Sequence, residues 1–264
     1  MGTSALPPID GNAWTAYITG GRRHFDRVVR SRNVFIRNAN ELVGLLTDAE
    51  HNILHALALM EAGPAGDTPE TTRQEFLQEA EAYRDEFWQA LDQRLHNLVA
   101  SLSSLVDQTR PLIAFYVEEP AFQQEFQRRN GAVAGHVRSK FVKRLRNYLL
   151  HAGVAPLVQS MRLGGDPSGP HLEIKLSSQG LLLWSGFTGE VRQFIEDHGD
   201  GLPLRRLVRE YVTDMVGVYA WLLEQYTTLH ETGTPPRHLR EGHAPEILYR
   251  AQKDDRAGPA AEPG

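Results

Sequence analysis

Leucines that recur at alternating steps of four and three residues are the feature that most restricts how this chain can fold. This spacing puts the side chains on one face of an α-helix, which turns once every 3.6 residues or so. A second run of apolar residues with similar spacing extends from Leu204 to Tyr226. Apolar stripes of this length are typical of helices that pack in a bundle, so we predict a mainly α fold. The leucines of the first run are Leu91, Leu95, Leu98, Leu102 and Leu105.

Further helical patterns cover residues 22–61, 69–110, 121–151 and 189–198. We expect Asn38–Ala39–Asn40 to interrupt the first of these, and Pro111 and Pro120 to bracket a break after the second. A chain of 264 residues with 41% hydrophobic residues can bury one sizeable core. We therefore predict a flexible segment over residues 1–20, a single domain over 21–232, and a disordered tail rich in Gly, Pro and charge over 233–264.

One β-hairpin is predicted near residues 171–185. The segment from His171 to Leu176 alternates apolar and polar residues, as a half-buried strand does. The residues from Ser177 to Gly180 then suggest a turn, and those from Leu181 to Trp184 a returning strand. An isolated hairpin is only marginally stable, so we expect this one to pack on the helices.

Charge is distributed unevenly along the chain. The whole protein has a net charge of −5, yet the segment from Phe126 to His151 has seven basic residues and no Asp or Glu. Such a segment favours a polyanionic partner, although a solvated helix face is the alternative interpretation. The basic residues are Arg128, Arg129, Arg138, Lys140, Lys143, Arg144 and Arg146.

Several classes of site are not expected. The chain has no cysteine, which excludes disulfides, thiolate metal sites and cysteine nucleophiles. His51 and His55 are four residues apart on a predicted helix, but no third ligand is placed, so we predict neither a metal nor a cofactor. The N-terminal residues do not resemble a secretory signal, and no long apolar run is present. We therefore expect a cytoplasmic protein without a membrane segment.

The basic helix ends in the run Arg146–Asn147–Tyr148–Leu149–Leu150–His151. Among the Arg/His pairs of similar spacing, this one lies in an uninterrupted stretch of good helix formers. Residues 140–151 resemble the active-site helix of the HEPN superfamily, whose pattern is Arg, a polar residue, about three variable residues and His. The resemblance implies a HEPN-like helical bundle and a metal-independent endoribonuclease, or a degenerate relative of one. It also suggests a toxin or defence effector.

Each residue type in this run suits RNA cleavage without a metal. In such a reaction the ribose 2′-OH attacks the phosphate, and the protein transfers protons and stabilises the developing charge. Histidine titrates near neutral pH, so His151 is the candidate acid or base. Arg146 offers a fixed positive fork to phosphate oxygens, and Asn147 can orient the imidazole or hold the phosphate. The RNA backbone would contact Lys140, Lys143, Arg144 and Arg138.

The helix faces suggest a second interface. At 100° per residue, Phe141, Leu145 and Tyr148 share the natural core face, whereas Leu150 lies opposite it beside Arg146. A leucine there predicts a second buried surface, formed with another chain or with the hairpin. The HEPN resemblance implies that two such helices pair across a homodimer. Besides RNA, an antitoxin or regulatory protein is a further candidate partner. The alternative function is a non-catalytic helical module that binds a nucleotide, RNA or a protein.

Overall fold

The computed structural model describes residues 11–61, 70–115, 120–162 and 171–231. Three long helices dominate it: α1 (Gly11–Glu61), α2 (Glu70–Phe115) and α7 (Leu204–Glu231). Shorter helices are α3 (Pro120–Ala134), α4 (Val137–Ala152), α5 (Ser178–Leu182) and α6 (Gly189–Glu196). The strands are β1 (Leu157–Arg162), β2 (His171–Ser177) and β3 (Gly201–Pro203). The predicted mainly α fold is confirmed.

The long helices pack through the predicted apolar stripes. All five leucines of the α2 stripe are buried, as are Val208, Tyr211 and Leu222 of α7. Helix α1 runs antiparallel to α2, since Asn38 donates a hydrogen bond to the carbonyl of Asn97 while Arg94 pairs with Glu41. Burying these stripes stabilises the bundle by removing apolar surface from water.

Helix α1 also runs antiparallel to α7. The Phe25 ring stacks on Tyr226 near one end of the pair, and Phe35 meets Tyr211 edge to face farther along. At the other end of α1, Arg205 forms an ion pair with Glu50. Helix α1 therefore contacts both of the other long helices.

Of the two predicted helix interruptions, the one at Asn38–Ala39–Asn40 is wrong, whereas α2 does end and α3 does begin between Pro111 and Pro120. Helix α1 continues through Asn38–Ala39–Asn40, because Ala39 is buried against the bundle and the Asn38 amide has a partner on α2. Helix α2 continues through Pro111 as far as Phe115. In α1 the tertiary contacts therefore outweigh local helix propensity. Helix α1 also begins at Gly11, so residues 11–20 are helical although we expected them to be part of a flexible segment.

The basic stretch forms two helices instead of the single one expected over 121–151. Helix α3 ends at Ala134, and α4 begins at Val137 with His136 as its N-cap, where the His136 ring accepts a hydrogen bond from the Arg138 backbone N–H. A Cβ at Gly135 would lie 2.6 Å from the Gly131 carbonyl oxygen, so the chain approaches itself too closely here for a side chain. The glycine permits the bend that separates the two helices.

The hairpin predicted near residues 171–185 is also wrong in its second strand. Strand β2 does begin at His171, but Ser177 accepts a hydrogen bond from the Gly180 N–H and caps α5, which places Leu181 in the core. Strand β2 instead pairs antiparallel with β1 on one side and β3 on the other, giving the order β1-β2-β3. The predicted turn is a helix cap, since serine serves both purposes.

Candidate functional site

Helix α4 carries the Arg146–His151 run, and an aromatic cluster fixes its buried face. Phe187, in the loop before α6, has its ring centroid 5.8 Å from that of Phe141 and 5.9 Å from that of Tyr148. Trp184 completes the cluster, 5.0 Å from Phe187 and 5.7 Å from Tyr148. Burial raises the pKa of the Tyr148 hydroxyl. The predicted core face of this helix, with Phe141, Leu145 and Tyr148, is therefore buried as expected.

The first turn of α4 is held by α7. The Arg138 guanidinium forms ion pairs with Glu210, at 2.6 Å, and with Asp214, at 2.8 Å. The pKa of Glu210 is lowered by its hydrogen bond from Arg206 and further by Arg138. With only 19% of its side chain exposed, Arg138 is committed to two carboxylates of its own chain.

The last turn of α4 is held by α2. Gly153 closes the helix with a φ of 87°, in the left-handed region that glycine adopts readily. The His96 ring donates a hydrogen bond to the Gly153 carbonyl at 2.9 Å, and the Asp92 carboxylate accepts one from the Ala155 N–H at 3.1 Å. We call Asp92 and His96 the α2 clamp. It fixes the backbone two to four residues beyond His151.

Arg146, Asn147 and His151 are all exposed in the last turns of this fixed helix. Among the described residues, none of the three forms a hydrogen bond or ion pair through its side chain. Asn147 and His151 are four residues apart and share one helix flank, next to the face that carries Arg146. The structure thus places all three predicted catalytic residues on the open surface of one helix, with Arg146 projecting away from the flank that Asn147 and His151 share.

The four residues predicted to contact RNA differ in how much charge they can offer. Lys140 pairs with Glu190 at 2.6 Å, and Arg144 donates to the Gly186 carbonyl at 2.5 Å. Arg138 is ion-paired as described above. Within the described part of the chain, only Lys143 among the four is exposed and has no such partner.

The two basic residues of α3 share one carboxylate of the same helix, which offsets one of their two charges. Arg128 and Arg129 both donate to Glu125, which lies immediately before the segment that lacks acidic residues. These two hydrogen bonds lower the pKa of Glu125 to about 2. The sequence count of seven cations therefore overstates the positive charge that this region presents to a ligand.

Leu150 is 64% exposed, so no described element of the chain covers it. This excludes the predicted hairpin as the surface that buries Leu150. A contact of Leu150 with another chain stays a prediction. Large exposed apolar side chains occur in the last turn of α4, just after it and in β1, and another lies after α5, next to the Trp184 that contacts Tyr148. We call this set the junction surface: Leu150, Val154, Val158 and Leu183, with exposed fractions of 64%, 67%, 39% and 85%.

Neither the α2 clamp nor most of the junction surface was predicted from the sequence. Asp92 and His96 are four residues apart on a helix. That spacing does not indicate that Asp92 accepts a hydrogen bond from Ala155 or that His96 donates one to Gly153. Val154 was not singled out because it lies in a short segment without a regular pattern, and Leu183 was assigned to the returning strand of the predicted hairpin. A valine directly after a helix-ending glycine was the available signal for Val154, since apolar contacts often accompany such ends.

No described group of three His, Cys, Asp or Glu side chains is arranged to hold a metal ion. The side chain of His55 lies outside the described residues, so the pairing of His51 with His55 has no structural test. Nor does any helix in the described ranges combine the length and apolar character needed to cross a membrane. Two cavities of about 340 and 480 Å³ are lined by other parts of the bundle and include neither Arg146 nor His151.

Comparison of the chain with protein-family models, with curated proteins and with solved structures found no match in any of the three.

Proposed function

We propose that this protein is a HEPN-like, metal-independent endoribonuclease that acts as a homodimer, in the role of a toxin or defence effector. The observation that carries the proposal is the joint exposure of Arg146, Asn147 and His151 on a helix that is fixed at both ends. Among the described residues, none of the three has a side-chain partner that would give it a structural role. Polar side chains held on a rigid element but left open to solvent are suited to a ligand.

The chemistry follows from these side chains. His151 accepts the proton of the ribose 2′-OH as the 2′ oxygen attacks phosphorus, and a protonated imidazole supplies the proton that the departing 5′ oxygen requires. Arg146 stabilises the negative charge that accumulates on the phosphate oxygens. Asn147 orients the imidazole from one turn away. The products are a 2′,3′-cyclic phosphate and a 5′-OH end.

Two histidines are needed if one acts as base while another acts as acid, and each chain supplies one His151. A dimer that brings the two α4 helices together would provide both. The exposed junction surface supports such an association, because large apolar side chains at a surface mark a protein contact.

The test is to incubate the purified protein with a labelled RNA in EDTA. Cleavage, with cyclic phosphate detected on the products by mass spectrometry, is the expected result. Intact RNA in both EDTA and Mg²⁺ would contradict the proposal. Cleavage only in the presence of Mg²⁺ would contradict the metal-independent mechanism.

The second candidate function is a non-catalytic helical module that binds RNA, a nucleotide or a protein. The internal pairing of Arg138, Lys140 and Arg144 favours it, because these cations then act in folding. This candidate predicts RNA that remains intact in EDTA while still being bound in an anisotropy titration. A bundle that serves only as a scaffold would show no binding.

Charge removal at Lys143 is expected to weaken RNA binding for all sequences. Lys143→Gln should reduce the slope of log affinity against log salt by about 0.7 for single-stranded RNA, because one phosphate contact is lost. The matched control is Arg138→Gln, which should leave the slope unchanged and lower the melting temperature, since Glu210 and Asp214 lose their partner. Fluorescence anisotropy across a salt series measures both. Equal slopes for Lys143→Gln and the wild-type protein would show that Lys143 does not contact RNA.

Leu150→Glu is expected to shift the dimer towards monomer. A carboxylate in a contact that excludes water loses its hydration without gaining a partner. Val34→Glu is the control, because Val34 is exposed on α1, far from this helix in the sequence. Sedimentation velocity at micromolar concentration measures the association. Retention of the dimer by Leu150→Glu would place the contact elsewhere.

A further inference from the structure

Strand β1 lies at the edge of the sheet. The order β1-β2-β3 leaves one side of β1 without a neighbouring strand among the described residues. An open strand edge presents backbone N–H and C=O groups that can pair with another chain. The pairing of β1 with β2 is continuous from Leu157, opposite Leu176, to Arg162, opposite His171, so no bulge interrupts the strand.

The hydrogen-bond pattern identifies which backbone groups face outwards. The Ser177 N–H donates to the Pro156 carbonyl at 2.7 Å. Backbone groups of alternate residues point to opposite sides of an antiparallel strand, so Val158 and Ser160 direct theirs to β2. Leu157, Gln159 and Met161 direct theirs to the open edge. The Leu157 N–H already donates to the Ala155 carbonyl, so Gln159 lies at the centre of the edge groups that have no backbone partner among the described residues.

This edge lacks the features that usually prevent pairing. Edge strands are commonly protected by charged residues, prolines or bulges. The segment Leu157–Val158–Gln159–Ser160–Met161 contains no charged residue and no proline. Val158 is 39% exposed within it, and Val154, three residues before the strand, is 67% exposed. Among the described residues the edge is therefore open, and its segment from Leu157 to Met161 carries no charge.

We propose that a second copy of this chain pairs antiparallel along β1, with Gln159 of both copies on the two-fold axis. Outward-facing residues must pair with outward-facing residues, and the register that uses the whole strand puts Gln159 opposite itself. Leu157 then lies opposite the second copy's Met161, and Val158 opposite its Ser160. The two sheets join into one sheet of six strands.

The register and its surroundings favour a second copy over an unrelated peptide. Every position in the paired strands is neutral except Arg162, which lies opposite Pro156 and so meets no like charge. Strand pairing alone covers less area than the roughly 1,200–2,000 Å² of a stable interface. The exposed Leu150 and Val154 precede β1 directly in the chain and provide further apolar area. This inference deepens the proposed function, because it names the surface through which the two copies meet.

The test is the substitution Gln159→Pro. Proline removes an N–H that faces away from β2, so the fold should tolerate it, as edge strands tolerate proline at such positions. In the dimer the two copies of Gln159 exchange two backbone hydrogen bonds, and both are lost. We expect the dimer dissociation constant to rise by about 10- to 100-fold, measured by sedimentation velocity. Gln159→Ala keeps the N–H and should remain as dimeric as the wild-type protein.

Other outcomes overturn the inference in distinguishable ways. A wild-type protein that is monomeric even at high micromolar concentration would exclude pairing through β1. A Gln159→Pro variant that dimerises as strongly as Gln159→Ala would exclude it too. Dissociation by Leu150→Glu but not by Gln159→Pro would place the second copy on the α4 face instead. If Gln159→Pro loses its circular dichroism, Gln159→Lys replaces it, since two like charges would then meet on the axis. RNA cleavage in EDTA, measured on the same samples, tests the proposed function independently of the pairing.

Discussion

Replacement of His151 by alanine is expected to slow RNA cleavage by about 10²- to 10⁴-fold, the usual contribution of a positioned acid or base. Arg146→Ala is expected to cost about 10²- to 10³-fold, because a charge on the transition state loses its partner. Neither side chain has a described partner within the chain. The free energy of unfolding should therefore change by no more than about 0.5 kcal/mol in either variant.

The controls separate catalysis from folding and from surface charge. His51→Ala removes an exposed histidine from α1, and Arg192→Ala removes an exposed arginine from α6. Both should cleave at the wild-type rate. Initial rates on a labelled RNA, together with thermal melting of all four variants, make the comparison. Undiminished cleavage by both His151→Ala and Arg146→Ala would refute the site.

Removal of the Phe187 side chain is expected to have the largest effect on stability. Its side chain is 1% exposed and contacts Phe141, Tyr148 and Trp184. Phe187→Ala should lower the free energy of unfolding by about 3–5 kcal/mol, through lost burial and the cavity left behind. For a domain of this size, that corresponds to a fall in melting temperature of about 10 °C.

The same substitution should also reduce RNA cleavage, because Phe187 holds the buried face of the helix that carries Arg146 and His151. Leu183→Ala is the matched control. It removes a large apolar side chain from the same region, but one that is 85% exposed, so the cost should stay below about 0.5 kcal/mol. Differential scanning fluorimetry at constant pH compares the two variants. Equal melting temperatures would show that the aromatic cluster does not stabilise the fold.

The long helices could be predicted because their stripes are regular over many turns. Leu91 to Leu105 of α2 and Leu204 to Tyr226 of α7 repeat a spacing that only a helix satisfies. Local signals were less reliable. The prediction of a break at Asn38–Ala39–Asn40 was wrong, because the Asn38 amide forms a hydrogen bond to the neighbouring helix and so stabilises asparagine in the middle of α1.

The sheet was harder to predict because its central strand obtains its partners from both sides in the sequence. Strand β2 was predicted from its alternation, but its neighbours were not. Leu157–Arg162 is short, and Gly201–Pro203 contains only three residues, so neither shows a pattern of its own. The apolar run from Leu181 to Trp184 fits a strand or a short helix equally well, and the Ser177 cap decided between them.

The candidate site was predictable in its residues but not in its surroundings. Spacing alone placed Asn147 and His151 on one flank and Leu150 opposite the core. Which cations would remain free was not predictable, because the partners of Arg138 and Lys140 come from α7 and α6. The number of basic residues in the sequence includes those that are ion-paired in the fold, whereas a ligand can bind only those that the fold leaves unpaired.

The two ends of α4 depend on helices that are synthesised at different times. Asp92, which binds the Ala155 N–H, precedes it by 63 residues, whereas Asp214, which binds Arg138, follows it by 76 residues. As the chain leaves the ribosome, α4 can therefore meet its first anchor early but must wait for the second. We expect the Arg146–His151 surface to reach its final orientation only once α7 has emerged, so that a nascent chain would not yet cleave RNA.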